Sequence, residues 1–319
     1  MPARSARIEA VDRIKACAIV IVVAIHSGPA TWQAGYTSVD YWLRAWMIWA
    51  VPAFIVVAGH LARTHAAMPW AVFRARMTRI LIPYVLVASL WYAIGYVAWP
   101  GLRGAARELA LGSTIGIYYF LPVMLLCLVL GAVVSRLPHW AAWAILAGCL
   151  VYLVAIAVTP ALGPAPSLFW GTRDPLVQFW FGFFLLGWLR IPERLAAAIP
   201  PWGLLLGILA SCAVMLAMRA YGTRFADGPA RIVFATFMVA GLWRARFRFP
   251  GMEAFSETTL GVYLLHYPIT ALLYSHAIQW HPVPRMLAVA SAAYLLTLGL
   301  CLVARLLLGP ARARFYLGA

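Results

Sequence analysis

Apolar residues run along this chain in blocks of roughly 20, punctuated by Arg, Pro and Gly. About 20 apolar residues is the length a helix needs to cross a hydrocarbon core of about 30 Å. Ten blocks stand out, near 14–27, 42–61, 80–99, 117–135, 140–158, 177–189, 202–221, 232–243, 258–274 and 286–308, the first, sixth and eighth being the shortest. The stretches between them are short, no internal repeat is apparent, and none has the composition of a soluble domain or linker. The pattern predicts an all-α fold, a polytopic membrane helix bundle of about 10 transmembrane helices, in a single domain over residues 1–319 with no soluble domain appended. The basic start and apolar run ending at Ser27-Gly28-Pro29-Ala30 resemble a signal peptide. Polar His26 inside that run, and the further spans behind it, favour an uncleaved first span.

Composition sharpens this picture. Hydrophobic residues make up 65% and charged ones 11%, against about 25% charged in soluble domains. The net charge of +16 would suggest nucleic acid in a soluble chain; here the apolar content excludes that partner. All of the 25 basic residues except Lys15 are Arg. Seventeen fall on one side of the predicted membrane, at 4–15, 63–79, 136, 190–194, 244–248 and 305–314, while Arg44, Arg103, Arg107, Arg173, Arg219, Arg224, Arg231 and Arg285 fall on the other. The positive-inside rule then puts both termini in the cytoplasm, in a bacterial-type inner (plasma) membrane. Five cysteines, an odd number lying in apolar stretches without a CxxC pair, argue against a disulfide framework and against a zinc site. No His pair has metal-ligand spacing, so no metal is expected.

Ionisable residues at membrane depth are costly and usually serve a site. The first span carries Asp12, Lys15 and His26. Lys15 and His26 are eleven residues apart, about 16 Å and close to three turns of helix, and so share a face. Asp12 is placed to pair with Lys15. A snorkelling lysine and a histidine bonded to a neighbouring helix would explain the same residues. Arg74, Arg76 and Arg79 cluster in the predicted inner loop before the third span; Arg76 and Arg79, one turn apart, suit two guanidinium forks gripping a polyanion. Contact with anionic lipid is the plainer reading of that cluster. His266, eight residues into the ninth span from Thr258, follows Tyr263 by three positions. Glu253 and Glu257 at the inner end of that span are expected to counter the arginines of the preceding loop. Tyr118-Tyr119-Phe120-Leu121-Pro122 opens the fourth span.

Taken together, these residues resemble the membrane acyltransferase 3 family. The run from Asp12 to His26 is similar to the family's first span, with a basic residue, ten intervening positions and a histidine. In the same order follow Phe54 and Gly59, then Arg76, Arg79, Leu81 and Pro83, then Phe120 to Pro122, then Phe184 and Gly187, and finally Gly261, Tyr263, Leu264, His266 and Pro268. The resemblance extends from about Arg7 to the last span. Lys15 stands where the family usually has arginine, a form similar to its surface-sugar O-acetylase branch. Ala58 stands where a serine is usual, and Thr259 replaces another.

The resemblance implies an O-acyltransferase that moves an acyl group, commonly acetyl, from cytoplasmic acyl-CoA (acetyl-CoA) to a hydroxyl of a carbohydrate, glycolipid, cell-surface polysaccharide or secondary metabolite. It implies His26 as general base, since neutral imidazole is poised for that work near neutral pH. His266 is the second catalytic candidate, as an oxyanion donor or a lining residue. Lys15, Arg74, Arg76 and Arg79 would hold the donor's phosphates, and Asp12, Tyr119 and Tyr263 would orient substrate. The segment 159–175, with Phe169, Trp170, Arg173 and Asp174, is the expected acceptor-facing loop. The alternative is a multi-span secondary transporter, although the repeated and interrupted helices common in that class are not evident.

Overall fold

The computed structural model describes residues 9–27, 39–63, 68–159, 177–221, 228–276 and 282–318. Among these the regular structure is entirely α-helical: α1 (Glu9–His26), α2 (Val39–Met47), α3 (Ala50–Ala62), α4 (Trp70–Ala93), α5 (Gly101–Leu111), α6 (Phe120–Val134), α7 (His139–Val158), α8 (Val177–Trp188), α9 (Ile191–Ala198), α10 (Pro201–Tyr221), α11 (Gly228–Arg244), α12 (Met252–Glu257), α13 (Thr259–His276), α14 (Pro282–Leu308) and α15 (Pro310–Leu317). The predicted acceptor-facing segment, apart from Thr159, lies outside the described residues, as do Arg4, Arg7, His65, Arg224, His281 and the side chain of Arg219.

Among the described residues, four helical stretches are long and apolar enough to cross a membrane: Trp42–Ala62, His139–Val158, Pro201–Met218 and Val283–Leu308. The last three have only 28%, 22% and 33% of their residues buried, against 61% for Trp42–Ala62. They form an apolar rim whose exposed side chains, such as Val151, Leu205 and Leu306, suit lipid. Helices α6 and α8 are apolar but shorter. Helices α1, α11 and α13 carry the ionisable and hydroxylated residues and contribute to the core with Ile14, Val22, Phe234 and Leu264.

Two features position the interior. Helices α3 and α8 cross backbone to backbone, because Gly59 and Gly187 leave no side chain between them. A methyl at Gly59 would overlap the Phe184 carbonyl oxygen, and one at Gly187 the Val56 carbonyl oxygen, the close approach that small residues permit in membrane bundles. At the end of the bundle holding the start of α1, here the basic end, arginines satisfy carbonyls that helix termini leave open. Arg76 donates to Leu61 O (2.9 Å), Arg63 to Trp188 O (3.2 Å), Arg244 to Ile199 O (3.0 Å), and Arg13 to Leu242 O (3.1 Å) and Phe247 O (2.9 Å).

Helix α4 corrects one expectation. Arg74, Arg76 and Arg79 were placed by sequence in a loop, but α4 begins at Trp70 and holds all three. Arginine is a good helix former, and no breaker interrupts the chain between Pro69 and Pro83. A charged first half followed by an apolar second half hides the helix from a search for apolar blocks.

Candidate functional site

The C-terminal residue of α1 and the middle of α13 meet inside the bundle. The rings of His26 and His266 lie 5.4 Å apart, tilted by 44°. Tyr267 stands edge-on to His26 at 5.6 Å, and the Tyr263 ring is 5.7 Å from His266. Phe120, at the start of α6, closes over Tyr263 at 5.3 Å. Buried Arg44 of α2 acts electrostatically on His26 from a further direction. Residues separated by most of the chain thus form one polar centre in an apolar interior.

The two histidines differ in their surroundings. His26 is partly exposed, whereas His266 is fully buried. His266 Nδ1 faces two main-chain carbonyls, Tyr263 O at 2.8 Å and Val262 O at 3.2 Å. Carbonyl oxygens only accept, which assigns the ring proton to Nδ1. Nε2 then carries the lone pair, and it has no hydrogen-bond partner among the described residues. A buried nitrogen left unpaired is costly and marks where a substrate hydrogen would be welcome. In its neutral form His266 accepts a hydrogen bond through Nε2, and only a protonated ring could donate one there.

The tyrosines expected to orient substrate are placed differently from each other. The Tyr263 hydroxyl donates to Ile117 O, so its proton is committed to the main chain. Tyr119 is half-buried, with its ring 6.1 Å from Trp180 of α8. Its neighbour Tyr118, fully buried, donates to Leu264 O at 2.6 Å and accepts from the Trp91 indole N–H at 2.8 Å. The turn before α6 and helix α13 are therefore stitched in both directions. Sequence names Tyr118 only as part of an aromatic run before a proline, which reads as packing, and does not single out Trp91.

A second polar centre sits at the other end of α1. Ser256 donates its hydroxyl to Asp12 Oδ1 at 2.6 Å, and Lys15 Nζ donates to Ser256 O at 2.5 Å. Asp12 and Ser256 are buried. Sequence reading found Asp12 and Lys15 but not Ser256, which joins them.

Beside this centre, Arg76 and Arg79 line an open groove of about 380 Å³ with Ala71, Val72 and Ala75. Arg74 is exposed and outside that lining. Glu257 pairs with Arg305 (2.8 Å) and Arg314 (3.0 Å), while Arg248 pairs with Glu9 (3.2 Å). Helix α15 folds back onto α4, bringing Arg314 and Glu257 into electrostatic range of Arg79. Desolvation and Arg314 depress the pKa of Arg79, while Glu257 partly offsets them. Arg79, Arg305 and Arg314 thus share one carboxylate, leaving net positive charge to meet an anion. The last helix was not predicted, being too short and too basic to read as a span. No cluster of three metal-ligating side chains occurs among the described residues.

A family model described as an acyltransferase domain, that of acyltransferase 3, matches residues 8–306. The chain belongs to that family. No curated protein and no solved structure matches it. The match covers both histidines, Lys15 and the arginines of α4, and stops short of α15. The protein is therefore an acyltransferase, and with its membrane-length apolar helices an integral membrane one. Family membership gives the transporter alternative no support.

Proposed function

We propose that this acyltransferase moves an acetyl group from cytoplasmic acetyl-CoA to a hydroxyl of a sugar, glycolipid, cell-surface polysaccharide or secondary metabolite. The observation that carries the reading is the His26–His266 pair, 5.4 Å apart, with one ring nitrogen buried and unpaired. His26, the less buried residue of the two, takes the acceptor's proton as its oxygen attacks the thioester carbonyl. The carbon–sulfur bond breaks, and the proton returns to the departing CoA sulfur. His266 Nε2 accepts a hydrogen bond from the acceptor and holds it in line. Tyr119 orients the acceptor at the turn before α6, and Tyr263 holds the wall beside His266.

The donor's phosphates rest on Arg76 and Arg79 along the open groove, with Arg314 in electrostatic range of Arg79 and Arg74 on the exposed face of the same helix. Lys15 and Asp12, tied to Ser256, clasp α1 to α12 at the basic end. The lipid-facing rim fits a bundle of about ten spans in an inner (plasma) membrane. Both termini would then lie in the cytoplasm, because the basic end holds Arg63, Arg76, Arg244 and Arg314.

The test has two parts. Purified protein in detergent should be thermally stabilised by acetyl-CoA and much less by dephospho-CoA. Mass spectrometry of glycolipids, polysaccharides and secreted metabolites should reveal an added acetyl group only in cells carrying the protein. No stabilisation by any acyl-CoA would remove the donor assignment.

A further inference from the structure

Helix α13 contains Pro268, two residues beyond His266. Proline has no N–H, so the carbonyl four residues earlier loses its helical partner. That carbonyl belongs to Leu264, and it is the one that accepts the Tyr118 hydroxyl at 2.6 Å. A tyrosine from the turn before α6 therefore supplies the donor the proline removes. The Trp91 N–H donates to the same hydroxyl oxygen at 2.8 Å, which aims its proton at α13. On the preceding residue Tyr263 returns the link, donating to Ile117 O next to Tyr118. His266 draws its ring orientation from this same turn, through Nδ1 to Tyr263 O and Val262 O.

We propose that Tyr118 is a positioning residue: by replacing the N–H missing at Pro268 it holds the interrupted turn of α13 in the one arrangement that aims His266 Nε2 at the acceptor. Tyr118 touches neither substrate nor histidine. Its effect on turnover passes through Leu264 O and the helix, and it leaves donor binding alone because the groove is lined at the start of α4, by Ala71 to Arg79, while Tyr118 meets α4 at Trp91, about 18 Å of helix beyond Arg79. The proposal rests on the histidine pair being the reaction centre.

The experiment compares wild type, Tyr118→Phe, Pro268→Ala and the double variant in proteoliposomes, with acetyl-CoA as donor and membrane extract as acceptor source. It reads CoA thiol release and melting temperature. Tyr118→Phe should lower kcat per folded molecule roughly tenfold, a modest case of what misplacement costs, with KM for acetyl-CoA close to wild type and a melting temperature a few degrees lower, because Leu264 O and the Trp91 N–H lose their partner. In the Pro268→Ala background the alanine N–H serves Leu264 O, and adding Tyr118→Phe should cost little more. Should Tyr118→Phe fail to fold, Trp91→Phe, which leaves the hydroxyl present but unaimed, should lower kcat with KM unchanged. Unchanged kcat, an equal loss in both backgrounds, or a fall in melting temperature with full activity per folded molecule would each overturn the proposal. Wild type that releases no thiol would instead contradict the proposed function.

Discussion

Helix α1 carries a polar centre at each end, and the two are built on opposite principles. At the basic end Asp12, Lys15 and Arg13 have partners: Ser256 joins the first two, and Arg13 meets Phe247 O and Leu242 O. At the other end His26 meets His266, whose Nε2 has none among the described residues. Paired polar groups lock helices together, while a deliberately unpaired one costs stability and is retained for what it does to a substrate. By that contrast the charged cluster near Asp12 is a clasp between α1 and α12, and the histidine pair is the proposed reaction centre.

The sharpest break between the two would come from removing each histidine in turn. His26→Ala and His266→Ala should each lower kcat by about 10²–10⁴, the usual range for a proton-transfer residue, with melting temperature near wild type. Asp12→Ala should do the reverse, because it strands buried Ser256: about 2 kcal/mol of stability lost, read as a fall of several degrees in melting temperature, with kcat of the folded protein preserved. Next in size, Arg76→Ala with Arg79→Ala should raise KM for acetyl-CoA roughly tenfold and leave kcat steady, as loss of uniform binding does. Smallest is Glu257→Gln, whose pairs with Arg305 and Arg314 are part-exposed. Less than about 1 kcal/mol should be lost, with donor binding unchanged or slightly tighter as the arginines are freed.

Much of this arrangement was legible in the sequence, for reasons that differ by residue. His26 and Lys15 stood out because ionisable groups are rare in apolar runs, and His266 because Tyr263 and Pro268 flank it in a family-like order. Ser256, Tyr118 and Trp91 did not, since hydroxyls and aromatics are common in membrane helices and their meaning comes from helices brought together only by folding. Pro268 did carry a signal: an N–H missing inside a helix requires a donor from elsewhere for Leu264 O, although sequence cannot name it. Arg314 was invisible for another reason. Its helix is short and basic, and its value lies in folding back to Arg79. The arginines of α4 were found but misplaced, because a helix that changes from charged to apolar midway looks like a loop followed by a span.

The most direct test is acetyl-CoA-dependent thiol release by purified protein in proteoliposomes supplied with membrane extract, comparing wild type with His26→Ala. Release by wild type and its near-complete loss in the folded variant are the expected result. A His26→Ala protein that releases thiol at the wild-type rate would contradict the assignment of the histidine pair as the reaction centre.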